Sequence, residues 1–138
     1  CIRDSSEAAR ELADVYETDF PGVPLARWEQ HARAIYRETG GGLGLSYDPH
    51  LRTAVGVDYD MDIPHVELWP LFDAVLETPL LCIRGANSNI LTADTVAEMK
   101  ARHLGMVAVE VPDRGHAPFL DEPPAVAAID AFLKEHAS

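Results

Sequence analysis

The strongest constraint on this chain is an ordered run of four elements in its second half. "PLLCIRG" (79–85) is a continuous apolar segment of strand length, closed by a glycine. "TADTVAEMKARHL" (92–104) has helical spacing, with Thr92 as N-cap and Val96, Met99 and Leu104 facing inward. "MVAVEV" (106–111) is a second strand and "DRGHAPF" a loop. "EPPAVAAIDAFLKEH" (122–136) is a closing helix with prolines at its first positions and Val126, Ile129, Phe132 and Leu133 inward. Strands without polar alternation are buried on both faces, as parallel strands are. The order predicts a βαβα unit with right-handed crossovers, hence an α/β fold. Two parallel strands cannot stand alone, because a parallel sheet needs helices on both faces and further strands beside it. This half is therefore expected to be the edge of a larger sheet.

The first half has another character. Ala9, Leu12, Ala13, Tyr16 and Phe20 recur at helical spacing, with Asp4 or Ser5 as N-cap and Glu7 completing a capping-box pattern. After a turn at "PGVP", Leu25, Trp28, Ala32, Ile35 and Tyr36 repeat the spacing up to about residue 39. "GGGLG" ends that helix. Residues 45–66 read as irregular, broken by Pro49 and Pro64, and "VELWPLFDAVL" as a short helix with Pro70 in its first turn. The 138 residues suffice for one modest core.

A formal net charge of -12 argues against nucleic acid or an anionic membrane as partner. No apolar run approaches the roughly 18 residues of a membrane span. Two cysteines, Cys1 and Cys82, make no disulfide framework and suit a reducing cytoplasm, with Cys82 expected as a core thiol. The opening "CIRDSSE" lacks Met, which fits a processed initiator or a chain that begins within a longer protein.

Two loops could carry chemistry. His116, in a glycine-containing loop after the second strand, lies where parallel α/β folds place reactive groups, and imidazole suits general base work near neutral pH. The loop "RGANSNIL" (84–91) follows the first strand, where a carboxylate that orients such a histidine is commonly held. An ordinary polar turn, with Ser88 and Asn89 bonded to backbone, is the plainer reading.

Together, "LLCIRGANSNIL" and "VEVPDRGHAPFLDEP" resemble the C-terminal part of the α/β-hydrolase superfamily, whose members read like hhhhRGxxSDhL and hhGxGHxPxLxEP, where h is apolar. The spacing of 27 positions from Asn89 to His116 fits as well. The resemblance covers residues 67–136 and, more weakly, likens residues 1–66 to the helical cap. It implies two regions: a cap (1–66) and a βαβα part of the hydrolase core (67–138) that is incomplete without an N-terminal portion.

The resemblance makes His116 the catalytic base and puts Asn89 at the acid position, a departure, because an amide carries no charge. In a serine triad that change costs about 10⁴ in rate. Three explanations stand open: an engineered substitution, a carboxylate from the strand before the cap, or a non-catalytic relative. Asp94 and Glu98 lie close in sequence, but a helix's first turn and solvated face account for them.

The family's Gly-x-Ser-x-Gly elbow is absent; "GLSYD" (44–48) has Asp48 where glycine is needed, which argues against Ser46 as nucleophile. The implied activity is hydrolysis of a small ester, lactone or similar acyl substrate. The Ser and oxyanion hole would come from an N-terminal portion, either continuous with this chain or separate from it after cleavage ahead of Cys1. Hydrolysis of carbon–carbon bonds, dehalogenation, and ligand binding without catalysis are the alternatives.

No cofactor is implied. Asp58, Asp60 and Asp62 alternate as in a calcium loop, but Ile63 and Trp69 stand where an EF-hand needs Gly and Glu. The histidines at 31, 50, 65, 103 and 136 lack zinc spacing.

Overall fold

The computed structural model describes residues 4–39, 42–48, 50 and 67–136. Cys1, the Asp58, Asp60 and Asp62 triplet and His65 lie outside the described residues. Contacts divide the chain into two units, one of residues 1–18 and 22–66, the other of residues 19–21 and 67–138.

In the first unit, α1 (Ser5–Val15) is capped by Asp4, whose carboxylate accepts from the backbone of Ser6 at 2.9 Å and Glu7 at 2.8 Å. The second helix, α2 (Leu25–Ile35), packs on it. Ala8, Ala9 and Ala32 are buried beside Trp28, so small residues let the two backbones approach around one large ring. Tyr16 stacks on Trp28 with centroids 5.8 Å apart. The expected helical pattern runs too far at both ends. The first helix stops at Val15, and Phe20 lies in the three-residue segment that clusters with the other unit. Tyr36, read as helical, instead begins a strand. That strand, β1 (Tyr36–Thr39), pairs antiparallel with β2 (Gly42–Leu45), Tyr36 opposite Leu45 and Thr39 opposite Gly42.

In the second unit, the short helix α3 (Trp69–Asp73) carries Pro70 in its first turn, where no backbone N–H is needed. Then follow β3 (Leu81–Gly85), α4 (Ala93–Arg102), β4 (Val107–Val111) and α5 (Pro123–His136). The strands β3 and β4 are parallel, in register from Leu81 with Val107 to Gly85 with Val111. The α/β order read from the sequence is thus the observed one. Thr92 caps α4, its hydroxyl accepting from the Thr95 backbone at 3.1 Å. Arg102 pins α4 to α3: its guanidinium lies 4.6 Å over the Trp69 ring and donates to Asp73 at 3.0 Å and Glu98 at 2.6 Å.

Three expected core residues face outward. Leu104 is 93% exposed, Leu133 53% and Val126 41%, while Ala125, Met106 and Val111 are buried. A sheet of two strands is too narrow to cover the apolar stripe of every helix that crosses it. Cys82, expected in the core, is half-buried, and that burial pushes its thiol above the ordinary value. No described helix is long and apolar enough to cross a membrane.

Candidate active site

Both candidate residues lie in loops that leave the C-terminal ends of the parallel strands. The β3 loop is organised from below by Arg84. This side chain is only 10% exposed, and its fork is spent on the loop's carbonyls. Nε donates to Leu91 O at 2.7 Å, and one terminal nitrogen donates to Ala86 O at 3.1 Å and Ser88 O at 3.3 Å. The other pairs with Glu110 of β4. A buried guanidinium must find such partners, since an unpaired charge in the interior is costly. Ser88 is buried and its hydroxyl accepts from the Leu91 backbone at 3.1 Å, tightening the turn.

Asn89 is exposed on this scaffold, and its side chain has no hydrogen bond among the described residues. The plain-turn reading therefore holds for Ser88 and not for the Asn89 side chain. Asp94 belongs to the first turn of α4, and Glu98 is held by Arg102 on the same helix.

The β4 loop carries His116, which is also exposed. A second arginine–carboxylate contact, part-buried, clamps this loop. Arg114 Nε donates to Glu122 Oε1 at 2.9 Å, and the same oxygen accepts from the Phe119 backbone at 3.2 Å. The residues that flank the loop's centre, Asp113 and Leu120, have φ of 56° and 67°. Left-handed backbone at such residues costs on the order of 1 kcal/mol each and persists only where surrounding contacts enforce it.

The two loops are joined directly. Asn87 N donates to Arg114 O at 2.8 Å, and Ala86 N to Val111 O at 2.9 Å. Gly85 and Gly115 permit this approach. A Cβ on Gly85 would meet Gly115 O at 2.2 Å, and one on Gly115 would meet Asp19 Cβ and Phe20 Cε2, each at 2.8 Å. Phe20 also packs on Phe119 with centroids 5.3 Å apart. The structure thus joins the Asn89 loop and the His116 loop, both presented outward.

Comparison with known proteins identifies relatives of the chain and of its fold. The chain is 36% identical over 113 residues to a 3-hydroxybutyrate-oligomer hydrolase of Cupriavidus necator, a match covering 78% of this chain and 38% of that protein. The structure superposes on a crystal structure of an alpha/beta hydrolase from Novosphingobium aromaticivorans with TM-score 0.81 and 36% identity, covering 96% of this chain and 46% of that one. The chain belongs to the α/β-hydrolase superfamily.

An E-2-(acetamidomethylene)succinate hydrolase, at TM-score 0.67 and 22% identity, shares the fold over 99% of this chain and 47% of its own. No family model matches the chain. This α/β-hydrolase chain spans less than half the length of these relatives.

Ser46, doubted as nucleophile, is exposed just after β2. The strand β2 directly precedes it. That strand belongs to a hairpin, and Ser46 N closes it by donating to Ile35 O at 3.0 Å. Among the described residues, no group of three or more His, Cys, Asp or Glu could hold a metal ion.

Several residues of the site were not singled out from the sequence. Arg84 had a signal: a charged residue inside an apolar strand implies a built-in set of acceptors. Glu122 and Arg114 stood in the quoted motif without a role. Phe20 and Asn87 had no local signal, because their partners are distant in sequence.

Proposed function

We propose that this chain is the C-terminal portion of a serine hydrolase that acts on a small ester or lactone, with His116 as general base. A short oligoester of a hydroxy acid is the favoured substrate class, because the relative from Cupriavidus necator hydrolyses 3-hydroxybutyrate oligomers. The observation that carries the reading is the pair of joined loops at the ends of β3 and β4, with His116 exposed on one and Asn89 on the other.

In this reading the nucleophilic Ser and the oxyanion hole lie in an N-terminal portion of the same protein. Strands of that portion extend the sheet beyond β3 and cover apolar helix faces such as Leu133 and Val126. Residues 1–66 correspond to the cap. His116 takes the proton of the Ser hydroxyl as it attacks the carbonyl, then returns it to the leaving alcohol. Water repeats the cycle on the acyl-enzyme, with no cofactor. A cytoplasmic setting accords with the half-buried free thiol of Cys82.

The test uses the natural full-length protein, a serine-reactive fluorophosphonate and a short-chain p-nitrophenyl ester. Labelling and turnover are expected, with His116→Ala lowering kcat by roughly 10³-fold or more at unchanged folding. Retained turnover in that variant refutes the role of His116. A second reading, a ligand-binding relative without catalysis, draws on Asn89, which has no charge and no side-chain partner among the described residues. Absence of labelling with the Ser present would favour it.

A further inference from the structure

Asn87 stands where three segments of the second unit meet. Its backbone N–H donates to Arg114 O at 2.8 Å, binding the β3 loop to the β4 loop. Its side-chain Nδ2 donates to Asp19 O at 3.0 Å, binding the β3 loop to residues 19–21. Residues 19–21 in turn lie against the β4 loop. The Phe20 ring fills the space a Gly115 side chain would need, and Pro21 O accepts from Arg114 at 3.5 Å. The peptide units on both sides of Gly115 are therefore enclosed, and His116 is the next residue.

We propose that Asn87 is a positioning residue for His116, acting through Arg114, Gly115 and the 19–21 segment rather than on substrate. The inference rests on the reading of His116 as the general base. Asparagine is suited to the place for a definite reason. The Asp19 carbonyl can only accept, so the partner must donate, and the reach spans a side chain of asparagine length. Aspartate has the same shape but would set an ionised acceptor against that carbonyl. Alanine would leave the carbonyl to water and the segment unanchored on that side. The neighbouring amide differs: Asn89 has no side-chain hydrogen bond among the described residues. Two asparagines two positions apart thus have separate work, one holding the loops in place and one exposed toward solvent.

The experiment compares Asn87→Asp and Asn87→Ala with wild type in the natural full-length protein. Hydrolysis of p-nitrophenyl butyrate is measured, with competent sites counted by fluorophosphonate labelling. Backbone hydrogen exchange over residues 112–122 is measured alongside. The expected result is a fall in kcat per labelled site of roughly tenfold, larger for Asp than for Ala, with KM within about twofold and faster exchange in that loop. Counting sites separates misplacement from a smaller folded fraction, which would leave kcat per site unchanged. A kcat per site within about twofold of wild type for both variants overturns the proposal. If wild type shows neither labelling nor turnover, the hydrolase reading fails on its own, and exchange decides the remainder: faster exchange supports the loop-holding role, and unchanged exchange overturns it.

Discussion

Gly85 and Gly115 approach so closely that a Cβ on Gly85 would lie 2.2 Å from the carbonyl oxygen of Gly115. The obstacle is backbone, which cannot swing aside as a flexible side chain can. One glycine ends β3 and the other directly precedes His116, so the contact sets how closely the two loops approach. Gly85→Ala is expected to cost about 2 kcal/mol or more in chemical denaturation and to lower kcat, because the His116 loop must retreat. A stable, fully active Gly85→Ala would show that the loops are not in contact.

Arg84 spends its guanidinium on three loop carbonyls and on Glu110. Replacing it by Met keeps the apolar stem but orphans those acceptors, at a cost of about 3 kcal/mol. Lysine retains the charge without the planar fork, so Arg84→Lys is expected to recover only part of that loss. Urea unfolding of both variants measures the difference, and full recovery by Lys would mean that charge alone matters.

Asn89 is exposed and its side chain has no hydrogen bond to lose among the described residues. Asn89→Asp is therefore expected to keep stability within about 0.5 kcal/mol of wild type. A carboxylate there would also stabilise an imidazolium at His116, so kcat is expected to rise rather than fall. A tenfold drop in kcat would contradict the placing of Asn89 at the acid position.

His31 titrates below its ordinary value of 6.5, first because burial disfavours the cation and second because Arg27 repels it. In the interval between the lowered folded value and 6.5, the unfolded chain binds the proton and the folded chain does not. Stability contributed by this residue is therefore lost as pH falls from 6.5 into that interval. His31→Gln is expected to gain in melting temperature relative to wild type between pH 7.5 and about 5.5. A difference that does not change with pH would remove His31 as a cause.

Most of the second half is legible in the sequence. An apolar run ended by glycine, a capped helix, a second run and a proline-opened helix leave little freedom, since each element follows from local pattern and the order dictates parallel pairing. The loops that hold Asn89 and His116 are legible for the same reason. The first half is legible only in part: helical spacing continues through Phe20 and Tyr36, and periodicity alone does not say where a stripe stops being helix. Phe20 leaves α1 and packs on Phe119, about a hundred residues away. Tyr36 opens a hairpin whose other strand is rich in glycine.

The sequence by itself determined the kinds of elements, their order, and the two loops where chemistry could reside, because these depend on neighbours a few residues apart. Only the tertiary structure decided which residues hold those loops together. The contacts of Arg84 with Glu110, Asn87 with Asp19 and Arg114, and Gly85 with Gly115 join segments far apart along the chain. Long-range partners of this kind leave no periodic trace, since a donor finds its acceptor by the path of the backbone and not by spacing.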